Sequence, residues 1–509
     1  MFNGSETTAT VIIILVAIAI LGWSFNRSRS YGKLGMLAWL QSVVFTVPWL
    51  LFLSLFTAGI YLNIVSILFV FVVAAGIYIF LGKRLRAAGE EAFLQDRAKK
   101  AFENQLKDSN PEKSDRESVS TNQPENGIIT GETEVVPIPL EELKMIQGIF
   151  GIDTFFITET IPYQEGVIFK GNLRGHNPEV VHERLSASLK ERLCDRYRLF
   201  LVEGPEEKPV AIILPSNNDP KPLTKGQTIL AVILLFTTIA TSLEAAGLLL
   251  NFDFFTTPAR FGEAIPISIG FWLVLIVHEL AHIWAAKRHQ VRLSFPFFIP
   301  SLQIGGFGAI TRFASLLPGR KALFDISLAG PAAGGIVSVL MLIGGLILSH
   351  EGSGFEVPVQ FFHGSILVGI IARIILGSAL QESLVNIHPL TIVGWLGLVV
   401  TALNLMPAGQ LDGGRIVQAI YGRTIAQRAT IATLVILGIV ALINPANPII
   451  LYWAIAILFL QRSLERPSLN EITEPDDTRA IFCLLALFWM IATLIPFTPA
   501  LAIRLGIGG

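Results

Sequence analysis

Blocks of apolar residues alternate with polar stretches along the chain, and most blocks are long enough to cross a bilayer as a helix. Such a helix takes about 20 apolar residues. The blocks lie near residues 9–25, 37–56, 61–81, 228–250, 264–286, 323–349, 389–406, 427–444, 447–462 and 480–502. Another apolar stretch, 363–380, carries Arg373 in its middle and is expected to be re-entrant or interfacial. The pattern predicts an α-helical polytopic membrane protein with about ten transmembrane helices.

A long hydrophilic segment follows the third apolar block. Residues 97–134 are rich in Glu, Lys, Asp, Asn and Ser, a composition that predicts a disordered linker. Within residues 135–227 the pattern changes to short strands and one helix. The predicted strands are 149–158, 166–171, 198–202 and 210–214, and the predicted helix is 178–195. We therefore expect a small α/β cytoplasmic domain inserted after the third span, which the linker would allow to move relative to the membrane.

Composition supports a membrane protein and excludes several other classes. Hydrophobic residues make up 52% of the 509 residues and charged residues only 15%, whereas soluble domains carry about 25%. The formal net charge of −1 gives no general attraction to nucleic acid. Cys194 and Cys483 are too few for a disulfide framework or a cysteine-rich zinc site.

Lys and Arg residues are concentrated in alternate loops, which predicts an orientation in the membrane. With ten spans and the N-terminus outside, the basic loops and the α/β domain all fall on the cytoplasmic side. No basic residue precedes the first block, so neither a cleavable signal nor an organelle transit sequence is expected. These features favour a bacterial integral membrane protein.

The strongest chemical signal lies inside the fifth apolar block, where His278–His282 reads H-E-x-x-H. Two histidines four residues apart project from one face of a helix, so both can bind one Zn²⁺. Glu279 between them is the expected general base for the attacking water. The alternative is a pair of buried histidines satisfied by neighbours, but three such groups at membrane depth are costly unless they bind an ion.

The third zinc ligand is expected on another span at similar depth, because a catalytic zinc has three protein ligands and an open position. Asp412 is the best candidate, since Pro407 and the neighbouring glycines break the helix before it and let its carboxylate turn inward. The alternative is an exposed aspartate in a loop. His282 and Asp412 both lie close to basic residues on the same predicted side, which favours the ligand.

Both motifs together resemble the site-2 protease family of intramembrane zinc metalloproteases. That family combines H-E-x-x-H with N-x-x-P-x-x-x-L-D-G on a later helix, here His278–His282 and Asn404–Gly413. Ala329–Pro331 resembles its Gly-Pro element, and the resemblance covers about 228–466. A narrower resemblance rests on the GNLRG sequence at 171–175 and on residues 308–313. Both resemble the yellow-green, ethylene-dependent gravitropism-deficient proteins of plastids and cyanobacteria.

The resemblance implies a division of the chain and a class of substrate. Residues 1–96 form a three-span region, 97–134 a linker, 135–227 the α/β domain, 228–466 the zinc metalloprotease core and 467–509 a C-terminal span. The expected substrates are membrane-spanning proteins in the lipid bilayer, either of a bacterial plasma membrane or of a thylakoid. No nucleic-acid partner is expected, and the sequence does not indicate an oligomeric state.

Further residues receive roles in the expected reaction. Asn404 is expected either to donate a hydrogen bond to the developing oxyanion or to tie down the broken helix. A substrate helix must unwind before its peptide carbonyls can be attacked. Gly305, Gly306 and Gly308 predict a hairpin or re-entrant loop whose edge could bind the unwound substrate, the alternative being a plain connecting loop.

Two other functions remain compatible with the sequence. A zinc transporter would place ionisable groups on several spans, but such groups are sparse outside the two motifs, with Glu244 and Arg373 as the exceptions. A membrane scaffold with a catalytically silent site would use the 135–227 domain for partner binding. Incubation of the purified protein with a membrane-spanning substrate, with and without chelator, separates these possibilities from peptidase activity.

Overall fold

Helices make up most of the part of the chain that the computed structural model describes. That part comprises residues 20–29, 32–57, portions of 69–85, and 138–508 except 164–165, 175–176, 205–207, 445–446 and 462. The helices are α1 (Gly32–Thr57), α2 (Leu140–Gln147), α3 (Pro178–Leu193), α4 (Lys225–Leu249), α5 (Phe261–Arg288), α6 (Arg320–Ile347), α7 (Ile366–Leu376), α8 (Pro389–Asn404), α9 (Asp412–Ile443), α10 (Pro448–Ala456), α11 (Asp477–Leu494) and α12 (Pro499–Arg504).

The strands form three antiparallel sheets. They are β1 (Phe155–Tyr163), β2 (Gly166–Leu173), β3 (Tyr197–Glu203), β4 (Pro209–Pro215), β5 (Phe297–Ser301), β6 (Gly305–Ile310), β7 (Phe355–Pro358) and β8 (Leu384–Ile387). The chain divides into two compact units, residues 1–131 with 435–456 and residues 132–434 with 457–509. The second unit holds all eight strands and every candidate site residue.

Six helices of the described part are long and apolar enough to cross a membrane. They cover Gly35–Phe52, Lys225–Leu249, Pro258–Arg288, Arg320–Ile347, Asp412–Ile443 and Asp477–Leu494. Each overlaps a predicted span, but Asp412–Ile443 begins well before the predicted span 427–444 and has a kink at Gly422, where φ is +79°. Two other predicted spans, 389–406 and 447–462, contain shorter apolar helices. The predicted spans 9–25 and 61–81 lie mostly, and the linker 97–134 entirely, outside the described residues.

Two apolar stretches differ from uninterrupted spans. α7 has 11 residues, which is about 16 Å of helix and too short for a bilayer core of about 30 Å. This agrees with the interpretation of 363–380 as something other than a full crossing. α11 ends at Leu494 rather than near residue 502, because Pro496 disfavours helical geometry at the residue before it.

The predicted α/β domain is present as a four-stranded antiparallel sheet in the order β1-β2-β4-β3. α3 begins at Pro178, where the Asn177 side chain accepts a hydrogen bond from the Glu179 amide. Its apolar stripe packs into the domain core. The core contains Ile146, Phe155, Val167, Phe169, Val181, Leu185, Leu189, Leu193, Leu199, Leu201, Ala211 and Ile213.

The boundaries of this domain were only partly predictable. The strand expected at 149–158 begins at Phe155, because Gly151 and Thr154 form a turn held by hydrogen bonds between them. α2 was not expected as a helix. Within the GNLRG sequence, Gly171–Leu173 completes β2, where Gly171 pairs with Ile157 of β1.

Residues 463–476, here called the junction segment, join the α/β domain to the membrane helices. The Leu201 amide of β3 donates to the Leu469 carbonyl at 2.8 Å, and the Glu471 amide donates to the Leu201 carbonyl at 2.9 Å. On its other side, the Leu469 amide donates to the Leu317 carbonyl at 2.9 Å, just before α6. β3 is an edge strand, so this contact covers its free edge. Backbone hydrogen bonds therefore hold the domain in place, contrary to the expectation of a freely moving domain.

Candidate metal centre

The two histidines of the H-E-x-x-H motif lie on one face of α5 and point to a common centre. Their Nε2 atoms are 3.1 Å apart, and both side chains are buried. His282 Nδ1 lies 2.7 Å from the Ile326 carbonyl. Because a carbonyl only accepts, Nδ1 carries the proton and Nε2 keeps its lone pair for a metal. The Ile326 carbonyl thus orients His282 for metal binding through Nε2.

Asp412 completes the centre from the opposite side. α8 ends at Asn404, residues 405–411 are not helical, and α9 begins at Asp412 itself. The break lets the carboxylate turn inward, as the sequence predicted, and the helix N-terminus favours its negative charge. Asp412 Oδ2 lies 3.3 Å from His278 Nε2 and 3.4 Å from His282 Nε2.

These distances test whether the donor set fits zinc. Tetrahedral bonds of 2.0–2.1 Å imply donor atoms about 3.3 Å apart. The three measured separations are 3.1, 3.3 and 3.4 Å. Two imidazole nitrogens and one carboxylate oxygen are also a usual catalytic zinc set, with one position left open. The residues present therefore fit a zinc ion.

Close packing of α6 against α5 depends on two glycines. A Cβ added at Gly330 would lie 2.2 Å from His282 Nε2, and one at Gly334 would lie 3.1 Å from His278 Nδ1. A larger residue at Gly330 would displace the His282 ring, and one at Gly334 would press against the His278 ring. The Gly-Pro element at 329–331 thus lies directly against the metal centre, and Gly334 lies one turn further along the same helix face.

Glu279 belongs to the same cluster but lies differently from the other three side chains. One of its carboxylate oxygens lies within 4.8 Å of the nitrogens of His278 and His282. Asp412 is closer to both nitrogens, and Glu279 instead accepts a hydrogen bond from the Thr311 hydroxyl at 2.8 Å. This arrangement favours Asp412 as the third ligand and leaves Glu279 for proton transfer.

Asn404 and the glycines of the predicted hairpin lie together. The Asn404 amide nitrogen donates to the Phe307 carbonyl at 3.1 Å and to the Val400 carbonyl at 2.9 Å. Both of its hydrogens are therefore engaged, which favours the tying role over an oxyanion donor. Gly308 has φ +97°, and a Cβ there would lie 2.6 Å from Asn404, so only glycine allows this approach.

The hairpin itself is confirmed, with β5 and β6 antiparallel. Gly305 and Gly306 are buried, and a Cβ on either would lie within 3.2 Å of α4 atoms. These two glycines therefore seat β6 on α4. A narrow cavity at the metal centre is instead lined by the residues after them, Ala309, Ile310 and Thr311, together with Glu279, Gln410 and Asp412.

Behind the cavity lies a buried ion pair that the sequence did not indicate. Arg415 Nε donates to Glu465 Oε2 at 3.0 Å, and its Nη2 donates to the Thr311 carbonyl at 2.9 Å. The guanidinium also lies 4.8 Å from the Phe313 ring centroid. From the charge distribution alone, Arg415 is one of the basic residues expected on the cytoplasmic side. Glu465, 50 residues further along, has no local pattern that would link it to the site.

The fold and the centre are those expected of a metallopeptidase that is embedded in a membrane. The profile described as "Peptidase family M50" matches residues 266–444, which include both metal motifs, and "EGY3 middle domain" matches residues 144–221. The relatives named below are 32–38% identical to this chain over 68–72% of its length. The chain therefore belongs to peptidase family M50, and its centre is that of a zinc metalloprotease.

Three relatives from plants illustrate the match. "Probable zinc metalloprotease EGY1, chloroplastic" of Arabidopsis thaliana is 38% identical over 72% of this chain and 73% of its own length. EGY2 of the same plant is 38% identical over 71% and 66% of the two chains, and EGY3 is 32% identical over 68% and 65%. These relatives are chloroplastic, so the expected cyanobacterial source receives no support from them. No solved structure matches the chain.

Proposed function

We propose that this protein hydrolyses peptide bonds of membrane-spanning substrates within the bilayer, with His278, His282 and Asp412 as the zinc ligands. The main support for this proposal is that three donor atoms at tetrahedral spacing lie beside Glu279. His278 and His282 belong to α5, which is long and apolar enough to cross a membrane, and Asp412 begins the part of α9 that precedes the kink at Gly422. Such polar groups are costly at membrane depth without a bound ion.

Glu279 is the proposed general base and acid. When bound, zinc supplies Lewis-acid polarisation of the scissile carbonyl and makes water more acidic. The Glu279 carboxylate accepts one proton from the attacking water as the carbon–oxygen bond forms. It passes that proton to the amine nitrogen as the carbon–nitrogen bond breaks, which returns the carboxylate to its starting form.

The substrate is proposed to bind in extended form along β6. Peptide carbonyls in a helix are engaged in hydrogen bonds, so a spanning substrate must unwind before it reacts. Ala309, Ile310 and Thr311 line the cavity beside Glu279, and a strand edge there offers backbone partners to an extended peptide. The hairpin glycines contribute by seating the strand, and Asn404 positions it through the Phe307 carbonyl.

The wider architecture follows from the charge distribution. We propose about ten spans, an external N-terminus and a cytoplasmic α/β domain that governs which substrates are cut. The protein would then be an integral multi-pass protein of a plasma or thylakoid membrane. The fixed contact between β3 and the junction segment supports a domain that presents substrates at a constant position.

The test uses the full chain in liposomes with a single-span membrane peptide that carries a fluorophore and a quencher. Glu279→Gln should lower turnover by about 10²–10⁴-fold while zinc per chain stays unchanged, because Glu279 is not a ligand. Glu263→Gln is the matched control, since Glu263 lies on the same helix and pairs with Arg260 instead. Turnover by Glu279→Gln equal to that of the control would refute the assignment.

A further inference from the structure

Thr311 connects the hairpin to the general base, and no role for it follows from the two metal motifs. Its hydroxyl donates to Glu279 Oε2 at 2.8 Å, and both side chains are buried. Among the described residues, Thr311 is the one side chain that donates a hydrogen bond to Glu279. A hydrogen bond to a carboxylate away from water is strong and directional. The orientation of Glu279 therefore depends on where Thr311 lies.

The position of Thr311 is itself fixed from two directions. Its carbonyl accepts from Arg415 Nη2 at 2.9 Å, and Arg415 is held by the buried carboxylate of Glu465. The next residue, Arg312, receives a hydrogen bond on its carbonyl from the Ser294 amide at 2.8 Å. The amide of Arg312 donates to the Ser294 hydroxyl at 3.0 Å. Thr311 thus lies on a backbone that has little freedom to shift.

We propose that Thr311 is a positioning residue of this peptidase, which holds the Glu279 carboxylate in the orientation needed to take a proton from the attacking water. The Arg415–Glu465 ion pair fixes the position of Thr311 through the hydrogen bond from Arg415 to the Thr311 carbonyl. This inference rests on the proposed function, because it assigns a partner to the general base. Thr311 lines the same cavity as Glu279, so the hydrogen bond lies where the substrate reacts.

The chain offers a pair of variants and a matched control. Thr311→Val keeps the shape of the side chain and removes the hydroxyl, whereas Thr311→Ser keeps the hydroxyl. Thr401 is also a buried threonine close to the site, on α8, but its hydroxyl has no hydrogen-bond partner among the described residues. Thr401→Val therefore makes the same chemical change without removing a contact.

The experiment measures kcat, KM and zinc per chain with the fluorescent membrane peptide. Thr311→Val should lower kcat about ten- to a hundredfold, the usual effect of losing a hydrogen bond to a charged group. KM and zinc should stay within about twofold of the parent. Thr311→Ser should recover most of the lost kcat, and Thr401→Val should match the parent.

Any result that differs from these expectations would reject a specific part of the proposal. Full kcat in Thr311→Val, or equal loss in Thr311→Ser and Thr311→Val, removes Thr311 from its positioning role. Loss of zinc together with kcat in Thr311→Val would make the residue a structural support of the centre instead. If Glu279→Gln turns over like the parent, the proposed function fails first and the role of Thr311 fails with it. An inactive Glu279→Gln beside a fully active Thr311→Val rejects Thr311 alone.

Discussion

The α/β domain and the membrane helices place their polar and apolar residues in opposite ways. In the domain, Leu185 is 1% exposed and Leu201 is fully buried, while charged side chains such as Arg184 and Lys190 are exposed. Among the membrane helices, Leu340 is 64% exposed, whereas His278 and Asp412 are buried. Lipid is as apolar as leucine, so the hydrophobic effect stabilises the first region and contributes little between helices of the second. Buried polar groups should therefore be the vulnerable positions in the membrane, and buried apolar groups the vulnerable positions in the domain.

The largest expected effect is the loss of metal from the membrane site. Asp412→Ala removes one of the three proposed ligands, so zinc should fall from about one per chain to near zero, and peptidase activity should disappear. Metal analysis of the purified protein measures this. Asp253→Ala removes an exposed carboxylate that only caps a turn and should keep its zinc. Unchanged zinc in Asp412→Ala would mean that the third ligand lies elsewhere.

Truncation of a leucine side chain in each region should have effects of intermediate size and tests the comparison between the two regions. Leu185→Ala leaves a cavity in the domain core and should destabilise the domain by about 2–5 kcal/mol. Leu340→Ala on α6 should change stability by less than about 0.5 kcal/mol, because the side chain is exposed and fills no core. Hydrogen exchange of α3 and α6 amides in the full chain reports both. Similar losses at the two positions would show that the regions are not packed in opposite ways.

The smallest expected effect is a pH dependence confined to the α/β domain. Burial lowers the pKa of His182 below its ordinary value of 6.5, and its Nε2 lies 3.2 Å from the Leu199 carbonyl. The unfolded state therefore binds a proton first as pH falls, so stability is full above about pH 6.5 and is lost below it. The protection factors of β3 amides, which are corrected for the intrinsic exchange rate at each pH, should fall as the pH drops through that value.

His182→Gln provides the control for this titration. Glutamine can still donate to the Leu199 carbonyl but has no proton to gain in this pH range. Its β3 protection factors should not show the additional fall below about pH 6.5. An equal pH dependence in the parent and in His182→Gln would assign the effect to another group.

Local patterns predicted the parts of this fold that local residues determine. The spacing of His278 and His282 sufficed to predict a shared helix face, and Pro407 with its neighbouring glycines predicted the break that presents Asp412. The apolar stripe of α3 was visible for the same reason. Each of these depends on residues within a few turns of one another.

Such local patterns could not predict contacts between segments that are distant in the sequence. Thr311 and Glu279 are 32 residues apart, and Arg415 and Glu465 are 50 apart. A threonine after a strand and an arginine after a helix have ordinary explanations in sequence. Only the packing of β6 against α5 and of the junction segment against α9 gives these side chains their partners.

The junction segment also has a consequence for the order in which the enzyme is completed. Synthesis proceeds from the N-terminus, so His278, His282 and Asp412 all leave the ribosome before Glu465 does. Until then Arg415 lacks its ion-pair partner Glu465 and is not held where it donates to the Thr311 carbonyl. The edge of β3 also lacks the backbone partners that cover it. If the proposed roles hold, a partly inserted chain would carry every proposed zinc ligand before Glu279 is aligned. Proteolytic activity would then begin only when the C-terminal region is in place.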